Sequence, residues 1–371
     1  MRSVLSVALI ASATFLLVSV DSFRHSPHSA KLDKASGNGG YPLLAESQTP
    51  VYHNLDLKEA RAELNLPEES LAHWRITGFR LKPGEEASCL NLYKPENPKV
   101  LGAKETFLRE GRFSFSASLA TTEEQKKNPW LLLLEPPVNG AIPAAIDFNS
   151  MEYVLHKKLG DEIPVDGKKL RLVASLSDSI FQGELVIAEP HFLQAFPASE
   201  GFRFFLLDGP PGEAAKITQV LEDSLADSGF DASPTEDKLA RFHAVENTYL
   251  STFQMLGMLG LLLGTIGLSA VLLRNVLERR RELALLKAVG YSPKQLGWVV
   301  LAENGLLLVA GLGIGLAAAL LAVAPVFKAN SGSILSMLSL LLLVLAAGLA
   351  SAFLAMRAAI RSPLLAGLRS E

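Results

Sequence analysis

FQMLGMLGLLLGTIGLSAVLL, residues 253–273, runs directly into RNVLERRRELALLKAVGYSPKQLG, residues 274–297, and the junction decides how this chain is organised. The first part carries no charged residue along its whole length; the second opens on a dense cluster of Arg and Glu. A hydrocarbon core about 30 Å thick needs roughly 20 helical residues at 1.5 Å each, and lipid offers a bare backbone no hydrogen bonds. Residues 253–273 therefore read as a membrane-spanning helix. Three further runs, residues 3–20, 305–327 and 334–356, are equally free of charge. A buried helix of a soluble protein explains one such run, not four in one chain.

The flanks set the orientation. Arg274, Arg279, Arg280, Arg281, Lys287 and Lys294 lie between the second and third runs, Arg357, Arg361 and Arg369 follow the fourth, and Arg2 precedes the first. Short basic segments stay in the cytoplasm. Both termini and the 275–297 loop are therefore placed inside, and the long segment after the first run outside. Residues 1–20 read as a span and not as a cleaved leader, because no A-x-A-like site stands near Ser19–Ser22. The expected fold class is a membrane protein: four transmembrane α-helices with a large α+β extracytoplasmic domain inserted between the first and second. Its parts are residues 1–20, span one; 21–248, the outside domain; 249–274, span two; 275–297, a cytoplasmic loop; 298–327, span three; 334–357, span four; and 358–371, a cytoplasmic tail. The expected location is the cytoplasmic membrane, crossed several times.

Overall composition conceals this division. The formal net charge is −3, yet residues 21–248 hold 24 Lys and Arg against 34 Asp and Glu, and the rest is basic. An acidic domain is the opposite of a nucleic-acid footprint, so nucleic acid is set aside as a partner. A single cysteine, Cys89, excludes an intramolecular disulfide and Cys-rich metal sites.

Within the outside domain, residues 25–48 are rich in Ser, Gly, His and Pro and read as a mobile linker. Beyond it the pattern is mixed. Residues 55–66 suggest a short helix, 74–81 a strand, 131–135 a buried strand, 150–159 a helix between the strands 144–148 and 170–176, and 190–195 a helix between 184–188 and 202–207. Residues 212–228 suggest an amphipathic helix, with Ile217, Val220, Leu221 and Leu225 at helical spacing. From about residue 235 neither Pro nor Gly interrupts the chain until Gly257. Either one helical stalk runs from the outside domain into the membrane, or two helices meet at a kink near residues 244–248.

Searching for chemistry returns little. No G-x-x-x-x-G-K-[ST] occurs, so the chain does not bind ATP in the P-loop manner. Gly209-Pro210-Pro211-Gly212 lacks the Lys-Ser/Thr ending and reads as a turn. Histidines 25, 28, 53, 73, 156, 191 and 243 show no metal-ligand spacing, and no G-x-S-x-G appears. Neither a catalytic constellation, a metal site nor a cofactor is expected in this chain. Polar residues near the third span are Glu303 and Asn304, and an ionisable group at such a place is a functional candidate or an interfacial anchor. Gly257, Gly260, Gly264 and Gly267, and also Gly311 and Gly315, form small-residue faces suited to close helix packing.

The loop is the most specific stretch. Glu278, Arg279, Arg280, Arg281 and Glu282 open a short helix whose Leu283, Leu286 and Val289 lie on one side, and Gly290 ends it. Any basic interfacial anchor would have that character. The pattern E-R-x-x-E-[IL]-x-x-x-[KR]-[AS]-x-G-x-[ST], met here by Glu278, Arg279, Glu282, Leu283, Lys287, Ala288, Gly290 and Ser292 with Glu303 in the next span, resembles the FtsX-like permease family of MacB and LolC/LolE type. The tail AAIRSPLLAGLR, residues 358–369, is similar as well, and the resemblance is strongest over residues 250–371. It implies a permease subunit, in a homodimer or heterodimer, above a separate ABC ATPase that carries ATP and Mg. The coupling helix of residues 278–290 would then dock on the ATPase through Glu278, Arg279, Arg280, Arg281, Glu282, Leu283, Leu286, Lys287 and Gly290. Two functions follow from it: export or extraction of a lipoprotein, peptide or amphiphile, or a relay that activates an extracytoplasmic partner without transport. A membrane enzyme is the outlying third.

Overall fold

The computed structural model describes residues 2–22, 32–85, 87–88, 95–278 and 289–323, with isolated positions in 282–286 and 338–357. The chain divides into two compact units, Ser26–Val245 and the combination of Met1–His25 with Glu246–Glu371.

In the first unit ten strands make one sheet among the described residues. They are β1 (Leu43–Val51), β2 (Arg75–Lys82), β3 (Lys99–Ala103), β4 (Phe115–Ser118), β5 (Ala141–Asp147), β6 (Glu162–Val165), β7 (Lys168–Leu176), β8 (Glu184–Ala188), β9 (Phe202–Asp208) and β10 (Phe230–Pro234). The α-helices between them, numbered after α1 (Arg2–Ser22) of the other unit, are α2 (Lys58–Glu63), α3 (Glu68–Leu71), α4 (Glu105–Arg109), α5 (Glu123–Lys127), α6 (Glu189–Ala195) and α7 (Ala214–Ser224). The strand order is β10-β1-β9-β2-β3-β8-β5-β7-β4, with β6 also on β7. Strands β5 and β8 are buried at every position, their apolar runs as expected of strands covered on both faces, and Asp147 and Glu184 at their ends are buried with them. Between β6 and β7 the chain turns on Asp166 and Gly167, both at positive φ, which is the two-residue geometry that suits the twist of a hairpin.

Strand β2 is a corner. Its first five residues, Arg75 to Phe79, pair with β9, while Arg80 to Lys82 pair with β3. The sheet is thereby two halves that meet at β2. A core rich in aromatic rings joins residues of both halves, among them Leu44 of β1, Phe204 and Leu206 of β9, Phe79 of β2, Leu101 of β3, Val186 of β8 and Leu176 of β7, around Trp130, Phe107, Phe113 and Phe181. Helix α6 contributes Phe192 to a second core, and α7 contributes Ile217 and Leu221, four residues apart, to a third.

Three readings of the sequence need correction. Residues 131–135 are not a strand but part of a 3-10 helix, Pro129–Leu134. A short run of leucines has no period that separates strand from helix; Pro129 at the first helical position favours the helical start. The segment read as a mobile linker, 25–48, is built into the domain wherever it is described. Residues 43–48 belong to β1, which lies between β10 and β9. Ahead of it, Gly39 N donates to Ser36 O, Tyr41 N donates to Asn38 O, and Asn38 and Tyr41 are fully buried. A Cβ at Gly37 would overlap the carbonyl oxygen of Asp178. Glycine here permits close approach of two backbones and does not signal mobility. The expected helix over 150–159 is reduced to a single wide turn, Ser150–Val154.

In the second unit α1 is the first helix. The long helix α8 spans Thr235–Glu278, and the division between units falls inside it. It is followed by α9 (Pro293–Val323). Within α9, Gly305–Ala322 is, among the described residues, the one stretch long and apolar enough to cross a membrane, with mean hydropathy 2.4; Ile10–Ser19 of α1 is a shorter apolar segment. Most of the fourth expected span lies outside the described residues.

Helices α1 and α9 pack through small residues. A Cβ at Gly311 would stand 3.0 Å from Ile10 Cβ, and one at Gly315 would stand 2.5 Å from Ala11 O and 2.8 Å from Thr14 Cβ. Ile10 and Leu308 are buried against each other nearby.

Candidate functional site

Between α8 and α9 the described residues define both ends of the loop. Arg274 Nε donates to Glu278 Oε1 at 2.9 Å, one turn apart on the last turns of α8. Val289 N donates to Leu285 O at 3.0 Å and Tyr291 N to Leu286 O at 3.1 Å, so helical bonding runs up to Gly290. Gly290 has φ +108°, a conformation that terminates a helix and excludes other residues.

The restart is equally specific. Gln295 N donates to Ser292 Oγ at 3.3 Å and Ser292 N donates to Gln295 Oε1 at 2.8 Å, a reciprocal cap, with Pro293 as the first helical residue. Ser292→Ala is expected to cost the first turn of α9 about 1 kcal/mol. Exchange of the Gln295 amide should then speed up roughly fivefold; an unchanged rate would show that the cap is idle.

Leu285, Leu286 and Val289 are all exposed, and Leu285 and Val289, four apart, share a helix face. Glu282 is exposed beside them. Leu285 is absent from the face read in the sequence, although its spacing to Val289 was a visible signal. Arg279, Arg280, Arg281, Leu283 and Lys287 lie outside the described residues. Glu303 and Asn304 are on α9, with their side-chain surroundings outside the described residues. Of the glycine faces, Gly311 and Gly315 meet α1, and a Cβ at Gly257 would stand 3.4 Å from Leu17 Cδ2. Gly260, Gly264 and Gly267 lie on α8 where the surroundings are likewise undescribed.

Several charged groups of the α+β unit have structural partners. Arg112 is ion-paired with Glu110 at 2.9 Å and with Asp208, and its guanidinium lies 4.4 Å from the centre of the Tyr41 ring. Arg75 holds Glu110 at 2.8 Å from the other side. Burial pushes the Tyr41 phenol far above its ordinary value. Asp147, buried at the end of β5, accepts from Ser179 N at 2.8 Å, Ser179 Oγ at 3.0 Å and Asn149 N at 2.9 Å. Burial pushes its carboxyl up to about 7, and these donors oppose the rise. Among the described residues no three His, Cys, Asp or Glu side chains are grouped to hold a metal ion.

Comparison with known proteins gives one family match and several likenesses to solved structures. Residues 255–364 match the family described as FtsX-like permease C-terminal. No curated protein matches the chain. Among solved structures, the periplasmic region of MacB from Actinobacillus actinomycetemcomitans aligns at 10% identity and a TM-score of 0.30, over 54% of this chain and 92% of that one. The extracellular domain of the noncanonic ABC-type transporter YknZ from Gram-positive bacteria aligns at 10% identity and a TM-score of 0.30, over 52% of this chain and 99% of that one. Residues 255–364, which take in the loop, the membrane-side part of α8 and all of α9, are thus similar to the C-terminal part of FtsX-like permeases.

Proposed function

We propose that the chain is the permease subunit of an ABC transporter of MacB/Lol type, which couples ATP hydrolysis on a separate ATPase to movement of its α+β domain. In this reading four helices cross the cytoplasmic membrane, both termini and the loop face the cytoplasm, and the α+β domain is extracytoplasmic. Two permeases, identical or related, pair above two ATPases. The chain itself performs no catalysis and binds no cofactor; ATP and Mg belong to the ATPase. Its cargo is a lipoprotein, a peptide or another amphiphile.

The observation that supports this best is the uncovered apolar face of Leu285, Leu286 and Val289 beside an Arg-rich sequence. Three large apolar side chains next to charged neighbours form a surface that gains by being covered. A groove on an ATPase with acidic groups at its rim would take the leucines inside and leave Arg279 to Arg281 to pair at the edge, where the charges steer the encounter. The membrane interface competes for the same face.

Tagged full-length chain, purified from native membranes, is expected to bring down a P-loop ATPase. Leu285→Asp combined with Val289→Asp should reduce that recovery at least tenfold, equivalent to about 1.4 kcal/mol of docking free energy, and Glu278→Ala with Arg280→Ala should reduce it in the same direction. Undiminished recovery with both pairs would remove the loop from the interface. Stimulation of the recovered ATPase by an amphiphile supports transport. Stimulation by a soluble extracytoplasmic protein alone would replace transport with a relay.

A further inference from the structure

Helix α8 starts on the α+β unit with one face turned to it. Thr235, Lys238, Leu239, Phe242 and His243 follow at three- and four-residue spacing, which places them on a single stripe. Leu239 and Phe242 are buried. Thr235 Oγ1 donates to Tyr41 O at 2.6 Å, and Thr235 N donates to Pro42 O at 3.1 Å. His243 Nε2 is 2.6 Å from Asp178 Oδ1.

Lys238 occupies the most consequential position on that stripe. Its ammonium lies 3.5 Å from Glu46 Oε1 on β1 and 3.3 Å from Glu184 Oε1 on β8, and 5.0 Å from the centre of the Phe204 ring. Strands β1 and β8 belong to different halves of the sheet and are four steps apart in its order. In a flat sheet four steps amount to roughly 19 Å. A single ammonium that touches both carboxylates requires the halves to fold toward each other about β2, with Lys238 closing the gap between them.

The contact is costly to lose. The Glu184 side chain is 4% exposed, and its second oxygen, Oε2, has no hydrogen-bond partner among the described residues. Removing Lys238 would take the directly bonded cation from a carboxyl that burial already pushes toward its neutral form, with Lys99 the remaining positive charge acting on it, and breaking a buried pair from one side is destabilising. Glu46 is the opposite case, with its side chain 44% exposed and open to water. The two arms of the bridge therefore differ in strength, the stronger one reaching β8.

We propose that Lys238 is a clasp: it holds the two halves of the corner-folded sheet together, and withdrawal of the first turns of α8 lets the sheet open about β2. This is a property of the α+β unit alone and does not depend on what the protein moves or which ATPase it meets. Opening would be a local event, confined to the strands the clasp joins, of the kind that amide exchange separates from global unfolding.

Hydrogen exchange of the full-length chain in detergent micelles, read peptide by peptide, tests it. In Lys238→Met, which keeps an apolar stem over Phe204, amides of β1, β8 and residues 235–243 should exchange at least about tenfold faster, while β5 and β7 stay at the wild-type rate. Glu46→Gln cuts only the weaker, half-exposed arm; β1 and residues 235–243 should loosen and β8 should not. Unchanged rates at β1 and β8 in Lys238→Met, or uniform acceleration across every strand, overturn the clasp. Should Lys238→Met fail to fold, Glu46→Gln decides alone, and equal acceleration of β8, or none in β1, is the contrary result.

Discussion

Trp130→Ala is expected to lower the unfolding free energy of the α+β unit by about 3–5 kcal/mol, the range found when a large buried aromatic is truncated and its cavity does not collapse. Trp130 is completely buried. Its ring lies 5.3 Å from that of Phe107, 5.2 Å from Phe115, and 6.1 Å from both Phe113 and Phe181, mostly edge to face. Its Nε1 donates to Arg112 O at 2.7 Å. Several rings from different elements would thus face one void, and Arg112, which pairs with Glu110 and Asp208, would lose the bond that fixes its backbone. Trp130→Phe separates the effects, because it keeps most ring contacts and gives up the hydrogen bond, a loss of about 1 kcal/mol. Denaturant titration of the full-length chain, followed by exchange in β5 and β7, measures both. A cost below about 1 kcal/mol for Trp130→Ala would mean that the ring does not organise this core.

Gly315→Leu is expected to break the packing of α1 on α9. A Cβ at this position would meet the backbone oxygen of Ala11 at 2.5 Å and its Cα at 3.0 Å, neither of which can rotate away. Overfilling a packed contact costs about 1–3 kcal/mol and more where backbone must move. Small residues are what permit this approach in a setting without a hydrophobic driving force between helices. Gly313, two residues before, has open space where a Cβ would stand, with nothing within 4 Å, and is the matching control. With cysteines at positions 10 and 308, where Ile10 and Leu308 pack together, oxidative cross-linking should fall at least about tenfold in Gly315→Leu, corresponding to about 1.4 kcal/mol or more. It should hold in Gly313→Leu. Equal yields in both would disprove the close contact.

How much of this could be read from the residues differs from element to element. The similarity of residues 255–364 to FtsX-like permeases was legible because its motif is local: Glu278 to Ser292 supply charge, apolar face and helix stop within fifteen consecutive positions. Strands β5 and β8 were legible through the apolar runs 141–146 and 185–188, and α7 through Ile217 and Leu221. Long-range pairing was not. Nothing in Leu43 to Val51 states that this strand will lie between the ninth and tenth strands, since that choice depends on residues more than 150 positions away. Glycines 37 and 39 misled for a related reason. Glycine serves mobile chain and tight backbone contact alike, and only the neighbours, Asp178 and Phe113, tell the two apart. Leu285 was overlooked among many leucines, and its exposure is a fact of tertiary structure.

The pairing of β1 with β10 has one further consequence. Leu43 is directly opposite Pro234, and Thr235 is hydrogen-bonded to Pro42, so the polypeptide enters and leaves the sheet at the same point. Opposed residues of antiparallel strands are only about 5 Å apart. A domain whose entry and exit meet in this way can be carried as an insertion without lengthening or straining the polypeptide, provided that the flanking residues built into it, Tyr41 before the sheet and Lys238 and Leu239 after it, travel with it.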